Sequence, residues 1–255
     1  MLSPERLNRF ARHIVLPEVG GAGQARLAAS RVLLIGAGGV GSPALQYLAA
    51  AGIGAITVVD CDAVDASNLQ RQTIFAEADI GARKAEAAAR WIAAFDSQVA
   101  VAAHDMRIDT DNAAALIAGH DVVVDGSDNF ATRLAVSDAC VASAVPLTSI
   151  AVGRFQGQVA NFAGHLPGQP CYRCWVGDAF DADDCDTCAA DGVLGAFVGM
   201  AASLGAMQAI RVLLIGASDL GDPQWGQLHL IDGLKPGLRT VRVPADPGCR
   251  GCGAA

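Results

Sequence analysis

The apolar run Val32-Leu33-Leu34-Ile35 passes straight into Gly36-Ala37-Gly38-Gly39-Val40-Gly41 and then into an uncharged segment over residues 42–51. Four consecutive apolar residues suit a strand covered on both faces, which is the environment of a parallel sheet. Glycines at positions 36, 38 and 41 let the chain turn tightly and let a ligand approach the backbone where a Cβ would block it. A helix starting there would point its unpaired N–H groups and its positive dipole end at an anion. This strand–turn–helix unit therefore predicts a phosphate-binding α/β fold.

The rest of the N-terminal half repeats the alternation. Strands are expected over 55–60, 99–103, 122–124 and 147–151, with helices over 81–95, 111–118 and 131–144. Alternating units of this kind build a Rossmann-like, doubly wound sheet, mainly parallel. Near Gly153 the pattern changes. Residues 154–162 alternate, and 227–231 and 238–243 read as a closing hairpin, so antiparallel strands are expected in the C-terminal half. A helix is expected over 3–15, capped by Ser3 with Pro4 and Glu5 in its first turn, and broken by Gly20-Gly21-Ala22-Gly23. No repeat or linker divides the 255 residues, so one domain is expected, with a nucleotide-binding half over about 1–150 and a second half over about 151–255.

Composition excludes some functions. The net charge is −8 and no run of Lys and Arg occurs, which argues against a nucleic-acid binder. Residues 1–16 carry Glu5, Arg6, Arg9, Arg12 and His13 and so lack the apolar core of a signal peptide. The uncharged stretch 192–210 contains four glycines, Ser203 and Gln208 and is expected to be a buried helix rather than a membrane span. A reducing, cytoplasmic setting follows, in which paired cysteines bind metal or do chemistry more often than they form disulfides. Three Cys-x-x-Cys pairs are present: Cys171/Cys174, Cys185/Cys188 and Cys249/Cys252. Zinc requires four thiolates, and spacing alone permits three pairings of these knuckles. Arg173 and Arg250 lie inside the outer pairs, whereas Asp181, Asp183, Asp184 and Asp186 surround the middle one and disfavour thiolates there.

Beyond the glycine turn, Asp60 ends the next expected strand, where a carboxylate can accept hydrogen bonds from ribose hydroxyls. That much suits NAD as well as ATP. The segment Ser67-Asn68-Leu69-Gln70-Arg71 then follows, with Lys84 opening the next helix, and these cations suit a triphosphate. Asp128, after Asp125-Gly126-Ser127, lies at the carboxyl edge of a strand and suits Mg²⁺, which binds one or two carboxylates plus phosphates. Its alternative role is the N-cap of the helix that follows.

Taken together, the glycine turn, Asp60, the 67–71 segment, Lys84, Asp128-Asn129 and the outer cysteine pairs resemble the ThiF/MoeB/HesA adenylyltransferases, bacterial relatives of the ubiquitin-activating enzymes, from about Arg9 to Cys252. The resemblance implies an ATP- and Mg²⁺-dependent enzyme. Such enzymes activate the C-terminal Gly-Gly carboxylate of a small ubiquitin-like sulfur-carrier protein, of the thiamine or molybdopterin pathway type, as an acyl-adenylate. It implies that Gly39, Gly41, Asp60, Ser67, Asn68, Leu69, Gln70, Arg71, Lys84, Asp128 and Asn129 contact nucleotide. It also implies that Arg12 reaches into the site of a second subunit of a homodimer. It selects Cys171, Cys174, Cys249 and Cys252 as the zinc ligands. Cys188 matches a family cysteine that in some members joins the carrier covalently, and Cys185 departs from the pattern. No sulfurtransferase-like segment follows Cys252, so a separate sulfur donor is expected. An NAD-dependent oxidoreductase would leave Arg71, Lys84 and the cysteine knuckles idle, and a non-catalytic carrier-binding protein would not need Asp128. The nucleotide separates the first two readings: ATP with Mg²⁺, and not NAD, is expected to raise the thermal unfolding temperature.

Overall fold

The computed structural model describes residues 2–177, 192–235 and 237–253. Eight strands form one sheet: β1 (Arg31–Ile35), β2 (Ala55–Val59), β3 (Ala100–His104), β4 (Val122–Asp125), β5 (Leu147–Gly153), β6 (Gln156–Phe162), β7 (Gln227–Asp232) and β8 (Gly237–Arg242). Their order is β3-β2-β1-β4-β5-β6-β7-β8. The first five are parallel, and β6, β7 and β8 join antiparallel to their neighbours. This is the doubly wound arrangement expected, with its antiparallel half at one edge. Chain order reverses between β1 and β4, so the helices that follow them leave on opposite faces. The gap at their carboxyl ends is where such sheets bind ligands.

The apolar runs are continuous because alternate residues go to opposite faces. Val32, Leu34, Ile56, Val58, Val122 and Val124 enter one core, with helices α4 (Gly41–Ala50), α5 (Lys84–Phe95) and α9 (Gly195–Leu213). Leu33, Ile35, Val59 and Val123 enter the other, with α6 (Ala113–Ile117), α7 (Phe130–Ala142) and α8 (Tyr172–Val176). Helix α9 is long and apolar enough to pass a membrane-span test on composition, but it packs on β4, β5, β6 and α4. Its Gly205 lets it approach the sheet, since a Cβ there would lie 2.1 Å from Ile150 Cδ1.

Two local expectations are corrected. The N-terminal helix is not continuous: α1 (Pro4–Arg9) and α2 (Ala11–Ile14) are separated at Phe10, whose φ of −100° and ψ of 14° leave the helical region. The glycines at 20–23 do not end helical structure; they begin α3 (Gly20–Ala29). Glycine is a poor helix former, and here tertiary contact overrides propensity. A Cβ on Gly23 would lie 3.3 Å from Leu214 Cδ2 and 3.4 Å from Ser218 Cβ, so the missing side chain seats α3 against the end of α9.

Leu48 on α4 is fully buried in the first core. Leu48→Ala is expected to cost about 2–5 kcal/mol, read as a lower urea midpoint with an unchanged slope.

Candidate nucleotide site and cysteine cluster

The glycine turn sits where the carboxyl ends of β1, β2 and β4 meet, with Ile35 in register with both Val59 and Asp125. Gly36 takes a φ of +80°, open to glycine at little cost, and donates its N–H to Val59 O at 2.8 Å. Gly41 has no room for a side chain: a Cβ would lie 1.7 Å from Gly36 O. Asp60 fixes the turn from the β2 side. Its Oδ2 accepts from Ala37 N at 2.7 Å, and its Oδ1 accepts from Asp62 N at 2.8 Å. Burial holds the Asp60 carboxyl above its ordinary value, against the Asp62 and Ala37 N–H groups and the Lys84 charge.

Lys84, the first residue of α5, is buried, and its Nζ donates to Asp62 Oδ2 at 2.8 Å. That bond holds the Asp62 carboxyl below its ordinary value despite partial burial. The main chain of Lys84 is tied to the same residue, N to Asp62 O at 2.9 Å. Residues 65–71 form a compact loop. Asp65 Oδ1 accepts from Ser67 N, and Asn68 Oδ1 accepts from Asp65 N, closing a capping box on the short 3₁₀ turn Ala66–Asn68. Arg71 lies over Gly39, where a Cβ would be 3.2 Å from its Cδ, and its Nη1 donates to Ser67 O at 3.0 Å. Leu69 packs against the first core, while the Gln70 side chain is exposed. The structure thus brings together Gly39, Gly41, Asp60, Lys84, Arg71 and the 67–71 loop. Around the turn, buried Gln72 Oε1, Asp125 Oδ2 and Ser127 Oγ have no hydrogen-bond partner, as polar atoms awaiting a polar ligand would.

Asp128 is exposed and makes no hydrogen bond or ion pair among the described residues. It is not the cap of α7. Asn129 is, accepting from Thr132 N at 2.9 Å, so its side-chain oxygen is already engaged. Sequence reasoning missed Arg133. This buried guanidinium donates to Ser127 O, to Ser149 Oγ at 3.1 Å and to Ile150 O at 2.9 Å, pinning the 125–128 turn to β5. Asp125 Oδ1 tightens the same turn by accepting from Ser127 N at 2.8 Å. The sequence signal was a lone arginine one helical turn after Asn129 in an otherwise uncharged first half of the helix. Asp62 lies two residues beyond Asp60 in the chain, but its bond to Lys84 needs the fold. Arg12 is exposed on α2 and makes no hydrogen bond or ion pair to the other site residues among those described.

The sulfur atoms of Cys171, Cys174, Cys249 and Cys252 all lie within 4.8 Å of one another. The separations are 3.9 Å for Cys171–Cys174 and 3.5 Å for both Cys171–Cys249 and Cys174–Cys252. A disulfide needs about 2.0 Å, whereas the edge of a tetrahedron with Zn–S near 2.3 Å is about 3.8 Å. The donor set fits zinc. Burial pushes the Cys171 thiol well above its ordinary value and, with the Cys174 thiol, raises Cys252 to about 11. Burial pushes the Cys249 thiol up, but the Cys252 and Gly251 N–H groups together with the Cys171 and Cys174 thiols bring it below its ordinary value. Asp246 N points at Cys174 Sγ from 3.5 Å, and Arg173 forms a bidentate pair with Asp138 on α7, both bonds at 2.7 Å. Cys185 and Cys188 lie outside the described residues.

A doubly wound sheet with a glycine-lined phosphate cradle at its switch point and a Cys₄ knuckle pair defines a nucleotide-binding α/β protein with a metal-fastened C-terminal segment. The chain belongs to the ThiF family, whose profile matches residues 10–251. It is 41% identical over 252 residues to the SAMP-activating enzyme E1 of Haloferax volcanii, covering 99% of this chain and 91% of that one. It is 41% identical over 254 residues to the sulfur carrier protein adenylyltransferase of Thermus thermophilus, covering 98% and 92%. It is 43% identical over 253 residues to the adenylyltransferase and sulfurtransferase MOCS3 of Bos taurus, covering 99% of this chain but 54% of that protein, so it spans about half of such relatives. Among solved structures, E. coli MccB with ATP shares the fold at a TM-score of 0.78 and 21% identity, covering 99% of this chain and 77% of that one.

Removing one ligand should expose what the cluster contributes. Cys171→Ser is expected to lose bound zinc, measured by elemental analysis. It should also lose at least about 2 kcal/mol of stability, roughly 4–8 °C in Tm for a chain of this size.

Proposed function

We propose that the chain is an ATP-dependent adenylyltransferase that activates the C-terminal Gly-Gly carboxylate of a small ubiquitin-like sulfur-carrier protein. The observation that carries the reading is the convergence of Asp60, Lys84 and Arg71 on the glycine turn. It is supported by 41% identity across 98% of the chain to a sulfur carrier protein adenylyltransferase. A carboxylate oxygen attacks the α-phosphorus, the α–β P–O bond breaks, and pyrophosphate leaves with the electron pair. Two unit charges about 4 Å apart repel by about 1 kcal/mol in water and about 4 kcal/mol at an effective dielectric near 20. The site must therefore supply cations before the two anions can meet. Arg71 and Lys84 do so from this chain, with Arg12 from a second copy. No general base is needed, because the nucleophile is already ionised. Asp60 receives the ribose, Gly39, Gly41 and residues 67–70 line the nucleotide, and Asp128 with Asn129 sits at the phosphate end. Mg²⁺ held by Asp128 would neutralise charge on the leaving pyrophosphate.

Residues of about 1–150 would bind nucleotide and those of about 151–255 the carrier. The β7–β8 hairpin ends the sheet with an exposed edge strand carrying Leu238, Arg239 and Arg242, beside exposed Leu234. An open edge flanked by leucines and arginines suits the addition of a strand from a small carrier. Exposed Val15, Leu16, Tyr47, Met200 and Met207 lie on or beside α2, α4 and α9 and would be covered in a homodimer that also delivers Arg12. Zinc on the four cysteines fastens the C-terminal segment to α8. The enzyme would work in the cytoplasm with a separate sulfur donor.

Pyrophosphate–ATP exchange stimulated by a cognate Gly-Gly-ending carrier tests the reading. Asp128→Ala is expected to lower exchange by at least about 100-fold with Tm unchanged. Exchange retained in that variant removes the role of Asp128. Its absence from the native enzyme with every cognate carrier removes the activity.

A further inference from the structure

Gly195 begins α9 with its backbone in the ordinary helical range, not the left-handed one. Nothing in its own conformation calls for glycine, and alanine is the better helix former. The reason for glycine is what lies beside it. A Cβ on Gly195 would be 2.2 Å from Gln70 O, 3.3 Å from Gln70 C and 3.4 Å from Arg71 Cα. These are main-chain atoms, so they cannot swing aside as a side chain would. On its other side Arg71 is laid against Gly39, whose missing Cβ would be 3.2–3.3 Å from Arg71 Cδ, Cγ and Nε. Arg71 is thus held between two glycines. Gly195 sets where its backbone sits, and Gly39 lets its side chain lie across the phosphate turn.

We infer that Gly195 is a positioning residue for Arg71, seating the clamp loop by backbone contact from the first turn of α9. The inference rests on the adenylyltransferase reading and adds to it a residue far along the chain from the nucleotide motifs. The neighbouring chain is anchored as well, since Val193 forms a bridge with Arg154 of the β5–β6 turn, so the N-terminus of α9 cannot simply back away from the loop. An added methyl group displaces the 70–71 main chain and carries the Arg71 guanidinium off the turn. A fixed cation a fraction of an ångström out of place binds a triphosphate less well even when the fold survives.

The test compares Gly195→Ala with Gly199→Ala. Gly199 lies one turn further along the same helix, and a Cβ there meets nothing within 4 Å. Pyrophosphate exchange, the KM for ATP, the KM for carrier, zinc content and Tm are measured for each. Gly195→Ala is expected to raise the KM for ATP by about tenfold, leaving the carrier KM and zinc content unchanged, while Gly199→Ala matches the native enzyme. In an Arg71→Ala background the effect of Gly195→Ala on the ATP KM should disappear, because the two act as one unit. Additive losses overturn the inference, as does an ATP KM equal to the native value. A Gly195→Ala chain that loses its fold overturns it too, making Gly195 a packing residue. If the native enzyme neither binds ATP nor exchanges pyrophosphate, the adenylyltransferase reading fails instead.

Discussion

The site depends on backbone packed directly against backbone at the sheet's switch point. Gly36 O occupies the space a Cβ of Gly41 would need, and a Cβ of Gly36 would lie 3.3 Å from Gly126 O. Three segments from β1, β4 and the start of α4 therefore meet with no side chain between them. This sets the start of α4 directly beside the turn. A side chain at Gly41 would separate helix from strand and move every group that refers its position to the turn, Asp60 and Arg71 included.

On that frame the electrostatics are local. The chain carries a net charge of −8, which works against a polyanion at long range. One cation of the site is held close by a carboxylate instead: buried Lys84 by Asp62, whose side chain is 62% exposed. Taking an ammonium out of water is costly unless it is paired and hydrogen-bonded, and Asp62 supplies both. Asp60 bears the opposite cost. Its burial disfavours the charged form, so it does not contribute the acid-range stabilisation that Asp62 gives. Asp62, its carboxyl lowered, stabilises the fold above the ordinary carboxyl range and loses that contribution as pH falls through its folded value.

The cysteine cluster is joined to the same architecture. Arg173, inside the first knuckle, grips Asp138 on α7, and Gly251 of the second knuckle packs against that pair, with a Cβ there 3.0 Å from Asp138 Oδ1. Helix α7 starts at the Asn129 cap, beside Asp128 and the turn pinned by Arg133. One helix thus carries the phosphate-side turn at its N-terminus and the knuckle's ion pair along its length.

Much was legible in the chain itself. Continuous apolar runs gave the parallel strands, because two-sided burial leaves no polar face to interrupt them. The glycine turn, Asp60 and the arginine and lysine beyond it marked the cradle, because a phosphate needs bare backbone and cations around it. What could not be read were contacts between distant segments. Glycines at 20–23 look like a break until Leu214 and Ser218 are set beside Gly23. Asp128 could cap the helix that follows it, until α7 takes Asn129 instead. Spacing alone leaves three pairings of the cysteine knuckles open, until folding places four sulfurs within 4.8 Å. The sequence by itself determined the kind of sheet and the chemistry along its carboxyl edge, since both follow from periodicity and residue type. Only the tertiary structure decided which buried charge meets which partner, and why Gly195 must be bare, since those depend on approach between residues that share no local pattern.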